Sequence, residues 1–290
     1  MPYIKLIDIN RYEIVNSWAL DGIDGVFLKA SEANLVDKVF PSYWRALKNT
    51  NKVRGTYNYF RPMFDLYTQV FIYAAVARNT PLPPVADVEL YNAYSDDVTF
   101  YTTASQVKIR ATIKAYLDML EEQFGRTPIV YTSAGFWNKY VGNVDWAKNY
   151  KLWVANYDVV RPQIPLGWTE WLFWQYTSHG SVAGITGDVD MDYFSGTLQE
   201  LKLLANVEPT VPPPPPPPMP RKAIRILVDQ LRIRTAPSTT VGKILGYLPK
   251  DHDIDYIEDY KTGADVWYRI GYNQWCAGIY NGYRYVEVVL

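Results

Sequence analysis

Pro84-Val85-Ala86-Asp87-Val88-Glu89 reads as an apolar strand that ends on two carboxylates. Side chains two apart in a strand point to one face, about 7 Å apart along the chain. Asp87 and Glu89 therefore project together. If the strand belongs to a barrel of parallel strands, its last residues face the open C-terminal mouth, where such folds place their sites. Paired carboxylates there suit cleavage of a glycosidic bond. One acid stays protonated to donate to the leaving oxygen, and the other stays ionised to support an oxocarbenium-like transition state. Their mutual repulsion helps to raise one of the two pKa values. Taken alone, the same residues also fit a solvated strand end, or an oxygen cluster for Ca²⁺ or Mg²⁺.

Outward from this stretch, further strand-like segments run over Ile4–Asp8, Gly25–Ala30, Val53–Tyr59, Pro128–Tyr131, Lys151–Ala155, Leu172–Tyr176 and Gly184–Asp190. With Pro84–Glu89 they make eight, and the first five are followed by helix-like or loop segments. The clearest helix is Thr103–Phe124, where Ile109, Ile113, Tyr116, Leu117, Leu120 and Phe124 recur at spacings of three and four. Thr103 with Gln106 fits a capping box at its start, and Gly125 and Pro128 end it. The pattern predicts an α/β protein, a (β/α) barrel complete or depleted of helices late in the chain.

Two other predicted strands also end on acids, at Asp8 and at Asp190. First and last strands of a closed barrel are neighbours, so Asp8, Asp87, Glu89 and Asp190 are expected to converge at one mouth. The remaining strand ends carry aromatic and polar residues instead of further oxygens, which favours a carbohydrate groove over a metal site. Tyr57, Tyr59, Tyr131, Tyr157 and Trp174, with Lys29 and Gln175, form the candidate substrate-binding set. Some of the aromatics, Trp153 among them by strand parity, equally suit the barrel filling. Lys29 fits either a partner for a mouth carboxylate or an ordinary lysine with a buried stem.

The 290 residues carry 29 basic and 30 acidic side chains, a net charge of -1. That gives no general attraction to nucleic acid or to an anionic membrane. One cysteine, Cys276, excludes an intrachain disulfide. Two histidines, His179 and His252, are too few for most zinc hydrolase sites. Residues 1–10 lack the basic region and long apolar run of a signal peptide, and the longest apolar run, Val70–Ala77, is far short of the about 20 residues that span a bilayer. The sequence thus predicts a soluble product of the cytoplasm that reaches an external substrate only after release by another route.

Residues 209–220 contain seven consecutive prolines, Pro212–Pro218. Proline fixes φ and lacks the amide donor, so the segment is predicted to be a polyproline II rod of about 37 Å. A ligand for a proline-reading domain is the alternative. The rod separates residues 1–208, net -3, from residues 221–290, net +2. The tail shows only short strand-like runs with turn residues between them, which predicts a small all-β barrel. Cys276 with His252 invites a cysteine-peptidase reading. No helix begins at Cys276, and a lone cysteine in a β-rich segment suits a core better.

Ordered motifs now carry a resemblance. Asp8-Ile9-Asn10, Phe27-Leu28-Lys29-Ala30-Ser31-Glu32, Gly55-Thr56-Tyr57-Asn58-Tyr59-Phe60, Asp87-Val88-Glu89, Pro128-Ile129-Val130-Tyr131-Thr132, Leu152-Trp153-Val154-Ala155-Asn156-Tyr157, Trp174-Gln175-Tyr176-Thr177-Ser178 and Gly187-Asp188-Val189-Asp190 resemble glycoside hydrolase family 25, the muramidase-type lysozymes common among phage endolysins. The resemblance covers about residues 3–200, in the family's order. It implies an irregular barrel of eight strands and about five helices. It also implies hydrolysis of the β-1,4 bond from N-acetylmuramic acid to N-acetylglucosamine in bacterial peptidoglycan. Glu89 would be the general acid, Asp87 would orient the substrate's acetamido group, and Asp8 and Asp190 would support them. Configuration would be retained, with either the acetamido group or an enzyme carboxylate as nucleophile, and no metal or other cofactor. The chain departs from the family's pattern at Asn10, Ser31, Ala33, Asn58 and Tyr59, departures that bear on fine specificity of the groove.

The tail is similar, more weakly, to bacterial SH3-like domains that bind cell walls, through Leu231–Ser238, Ile244–Leu248 and Val266–Ile270. The expected organisation is a catalytic barrel at 1–208, a linker at 209–220 and an SH3-like wall-binding domain at 221–290. Two other readings compete: a chitin-directed barrel glycosidase, and a wall-binding protein without activity. The first usually carries more aspartates ahead of the acid, where this chain has Pro83-Pro84-Val85-Ala86. The second is disfavoured by the presence of all four acids.

Overall fold

The computed structural model describes residues 3–90, 94–205, 222–256, 258–271 and 274–289. They fall into two compact units, one within residues 1–214 and the other within 215–290. The proline rod expected at 209–220 lies outside the described residues.

Parallel strands need crossovers, and the sequence supplies them as helices early in the first unit. Leaving aside two-residue strands and a short 3-10 turn, the elements in chain order are β1 (Ile4–Ile9), β2 (Gly25–Glu32), α1 (Phe40–Leu47), β3 (Val53–Tyr59), α2 (Leu66–Ala77), β4 (Val85–Asp87), α3 (Ser95–Thr103) and α4 (Gln106–Phe124). There follow β5 (Ile129–Ser133), α5 (Ala134–Tyr140), β6 (Lys151–Ala155), β7 (Phe173–Gly180), β8 (Val189–Phe194) and α6 (Leu198–Ala205). Strands β1 to β7 pair in sequence order, each parallel to the next. Strand β8 closes the ring, antiparallel to both β7 and β1.

The eight-stranded barrel agrees with the predicted fold class, with three differences. The described residues hold six α-helices rather than about five. The last strand begins at Val189, so Asp190 opens it rather than ending it. Because β8 runs antiparallel, its start lies at the same mouth as the C-terminal ends of β1 to β7. The long helix starts at Gln106 rather than Thr103: Ala104 is extended, and Ser105 caps the helix by accepting from the Lys108 amide. Its predicted face is the buried one, and Gly125 ends it at φ 63°.

Strand parity sorts the core into two layers. Leu6, Phe27, Tyr57, Tyr131, Trp153 and Phe173 point into the barrel, while Ile7, Leu28, Val130 and the buried face of α4 pack between strands and helices. Phe27 crosses the interior to lie 4.5 Å from Trp153, centroid to centroid. Gly55 on the adjacent strand makes this possible, since a Cβ there would fall 2.2 Å from the Phe27 ring.

The described part of the second unit is entirely strand and turn: a three-stranded sheet, and a larger antiparallel sheet running from Gln230 to Arg284. Its core is small, built on Ile224, Ile226, Leu231, Cys276 and Val286. Cys276 is fully buried and burial pushes its thiol up to about 12, which makes it core material and not a nucleophile.

Candidate active site

The C-terminal ends of the strands, with the start of β8, surround a cavity of about 360 Å³. Asp8, Asp87, Glu89 and Asp190 all line it, from β1, β4, the residue pair after β4, and β8. The convergence expected from the sequence is thus present. Asp8 and Asp190 are direct cross-strand partners in the β1–β8 register.

On that side a buried network fixes the carboxylates. Gln175 donates to Asp8 Oδ2 at 2.6 Å, and its own oxygen accepts from Tyr131 at 2.8 Å and Tyr157 at 2.7 Å. Gln175 thereby has its orientation set by two phenols. Below Asp8 lies Asp192, fully buried, whose Oδ1 accepts from the Trp153 indole at 2.8 Å. Asp192 Oδ2 meets no donor, and the Asp8 carboxyl is within its hydrogen-bonding reach. A proton held between the two acids satisfies both. Burial is the main cause that raises both acids well above the usual range, and the Asp190 charge adds to it.

The opposite side is built on ion pairs. In β2 a bulge between Lys29 and Ser31 interrupts the alternation, so that Lys29 and Glu32 both turn to the mouth. Lys29 Nζ reaches Glu32 at 2.6 Å and lies 5.0 Å from the Tyr59 ring centroid. Arg61 pairs with Glu32 at 3.3 Å and with Asp97 of α3, and lies 3.7 Å from the Tyr94 ring centroid. Burial alone would lift Glu32, but Lys29, Tyr94 and Arg61 outweigh it and the net shift is downward. Lys29 is so held as a fixed positive charge beside Asp87 and Glu89.

Those two acids differ in setting. Asp87 is buried and its Oδ1 meets no donor among the described residues, an acceptor aimed at nothing yet. Burial and the Glu89 charge raise it well above the usual range, against Lys29. Glu89, at the cavity wall, is raised to about 7 by burial and then by Asp190, again opposed by Lys29. Asp190 is raised to about 6, chiefly by burial. A carboxylic acid that keeps its proton to near neutrality, beside further acids that can ionise, is the arrangement that general-acid catalysis needs.

Of the predicted binding residues, Lys29, Tyr57, Tyr59, Tyr131, Tyr157 and Gln175 line this cavity. Trp174 does not. It is one residue out of phase with Gln175, so it packs on the outer barrel wall against Leu152 and Val154 and donates to the Asn156 carbonyl at 2.8 Å. That expectation is corrected by strand parity. Trp153, read as either filling or lining, does both, as a barrel-core ring that also floors the cavity. The departures at Ser31 and Asn58 meet each other at 2.8 Å, and Tyr116 of α4 donates to Asn58, all buried outside the barrel. They form a hydrogen-bonded core pair and do not line the cavity. Ala33 takes φ 48°, a left-handed position that glycine would adopt without strain.

Sequence reading missed Asp192, Glu32, Arg61, Tyr94, Arg11 and Tyr12. Asp192 shares the parity of Asp190 but lies beyond the predicted strand, which stops at Asp190 where the observed one runs on to Phe194. The Glu32–Arg61–Asp97 chain depends on the bulge and on α3, which leave no signal in spacing.

A family model described as glycosyl hydrolases family 25 matches residues 7–185, a span that includes Asp8, Asp87 and Glu89. Lysozyme M1 of Streptomyces globisporus is 29% identical over 214 residues, 70% of this chain and 71% of that protein. The uncharacterized YegX of Escherichia coli (strain K12) is 31% identical over 207 residues, 68% of this chain and 71% of that one. Among solved structures, a bacterial lysozyme from Streptomyces coelicolor superposes with a TM-score of 0.65 at 28% identity, covering 71% of this chain and 98% of that chain. With four acids gathered at a barrel mouth and a match across most of the barrel, the chain belongs to glycosyl hydrolases family 25 and is a glycoside hydrolase of the lysozyme, or muramidase, type.

Proposed function

We propose that the chain hydrolyses the β-1,4 bond from N-acetylmuramic acid to N-acetylglucosamine in bacterial peptidoglycan, with Glu89 as proton donor to the leaving oxygen. The observation that carries this is the contrast between Glu89, an acid at the cavity wall, and Asp87, whose buried Oδ1 lacks a donor. An acetamido N–H of the substrate supplies the donor that Asp87 lacks, and the acetamido oxygen is then polarised toward the anomeric carbon. Lys29 opposes the repulsion between the acids, and in this reading the acetamido N–H favours the ionised form of Asp87 beside protonated Glu89. Asp8 and Asp192, sharing a proton and so one negative charge, keep Gln175 and the tyrosines in place. Tyr57, Tyr59 and Tyr157 offer ring faces and hydroxyls to the sugar.

The modular reading supports an endolysin-type enzyme with a catalytic unit at 1–208, a polyproline spacer at 209–220 and an SH3-like wall-binding unit at 221–290. Tethering raises the effective substrate concentration without altering the chemistry. In this reading the enzyme acts on the wall after release by another route. Mass spectrometry of borohydride-reduced fragments from digested peptidoglycan tests the bond assignment. New muramitol ends are expected. Glucosaminitol ends would reverse the assignment, and fragments from chitin but none from peptidoglycan would favour the chitin-directed reading.

A further inference from the structure

Between β6 and β7 the crossover, residues 156–172, contains no helix or strand. Loops of this length without internal structure are uncommon in compact domains and are usually functional. This one is fastened rather than loose. Asn156 Oδ1 accepts from the Gln163 amide at 2.8 Å, Asn138 Oδ1 from the Leu166 amide at 2.8 Å, and the Trp168 indole donates to the Tyr150 carbonyl at 2.8 Å. The crossover covers the outer faces of β6 and β7 without a helix, burying Leu152, Val154 and Trp174 beneath it. A cleft of about 990 Å³ remains, at the upper end of the roughly 300–1,000 Å³ usual for ligand sites.

The cleft shares no lining residue with the acidic cavity, because its wall is the outward face of the same strands: Leu152 and Trp174 line it, while Trp153 and Gln175 line the cavity. Aromatic rings run along it. Tyr3, half-exposed, lies 5.7 Å from Trp171 and 4.9 Å from Tyr193, and Trp171 lies 5.9 Å from Trp174. Its rim carries Lys148, Lys151 and Arg161 against one acid, Glu170, which is 4.0 Å from Lys151. Lys148 and Arg161 have no carboxylate partner among the described residues. The rim is therefore locally positive on a unit whose sequence is net negative.

We propose that this cleft is a second, non-catalytic binding site for a peptidoglycan strand, with sugar faces on Tyr3 and Trp171 and peptide carboxylates on Lys148 and Arg161. Partly exposed rings suit pyranose faces, and rim cations without a carboxylate partner suit a glycan that bears carboxylates along its length. Exposed Thr169 and Ser195 add hydroxyls for sugar hydrogen bonds. The site rests on the substrate reading above and would hold one strand while the mouth cuts another, or hold the same strand farther along.

Hydrogen–deuterium exchange of the full-length Glu89→Gln protein, with and without soluble, teichoic-acid-free peptidoglycan strands, tests this. Strands are expected to protect amides of residues 158–171 as well as those at the mouth. Lys148→Glu with Arg161→Glu, both exposed, should remove the first protection and leave the second. In the active enzyme the same pair should raise KM on insoluble wall about fivefold while leaving turnover of short soluble chains unchanged. Protection confined to the mouth would overturn the proposal, as would protection of 158–171 by a polyphosphate chain alone. Protection at neither place would overturn it too, and the muramitol analysis then shows separately whether the substrate reading stands.

Discussion

Replacing Glu89 by Gln should make the barrel more stable at alkaline pH while it removes the proton donor. Glu89 is raised from 4.5 to about 7 in the fold, mainly by burial and then by Asp190. A carboxyl group with a raised folded pKa keeps its proton in the native state while the unfolded chain releases it, so stability falls as pH rises from about 4.5 to about 7. Each unit of difference is worth about 1.36 kcal/mol, so the ionised side chain costs about 3 kcal/mol above pH 7. Gln has nearly the same shape and no charge. The variant should match the wild type at pH 4 and exceed it by about 3 kcal/mol at pH 8, a rise of roughly 6–12 °C in Tm for a barrel of this size. Urea titrations followed by tryptophan emission at several pH values read this directly, since eight of the ten tryptophans lie in residues 1–208. A stability difference that does not grow between pH 4 and pH 8, or a variant less stable at pH 8, would refute the electrostatic account of the site.

Other substitutions test the surrounding network. Gln175→Leu strips Asp8 of its donor and Tyr131 and Tyr157 of their acceptor, and should lower kcat at least about tenfold by circular-dichroism-controlled assay on peptidoglycan. Asp192→Asn can still accept from Trp153 and donate to Asp8, so chemical denaturation should show it within about 1 kcal/mol of wild type, whereas Asp192→Ala should lose about 2–4 kcal/mol. Arg61→Ala leaves Glu32 and Asp97 without their buried cation and should cost about 3–5 kcal/mol in the same measurement.

The acids were legible because strand alternation is short-range: Asp87 and Glu89 share a face whatever surrounds them, and an eight-strand count makes β1 and the last strand neighbours. The amphipathic face of α4 was legible for the same reason. What escaped was set by tertiary context. The antiparallel course of β8 turned a strand end into a strand start, although Asp190 still reached the mouth. The bulge in β2 brought Glu32 beside Lys29, three residues away, where simple alternation separates them. Trp174 stands near a predicted strand end among other aromatics, but its parity places it outside the wall. The Ser31–Asn58 contact joins two departures from the family pattern that looked unrelated in sequence.

The central claim is that Glu89 delivers the proton. The pH dependence of kcat/KM on purified peptidoglycan, for the wild type and a folded Glu89→Gln protein, tests it most directly. Glu89 must be protonated to act, so the wild-type rate should fall as pH rises through about 7. Glu89→Gln should lose about 10²–10⁴-fold of the rate and show no such limb. Wild-type turnover by a folded Glu89→Gln protein, or an alkaline limb that survives the substitution, would contradict the assignment.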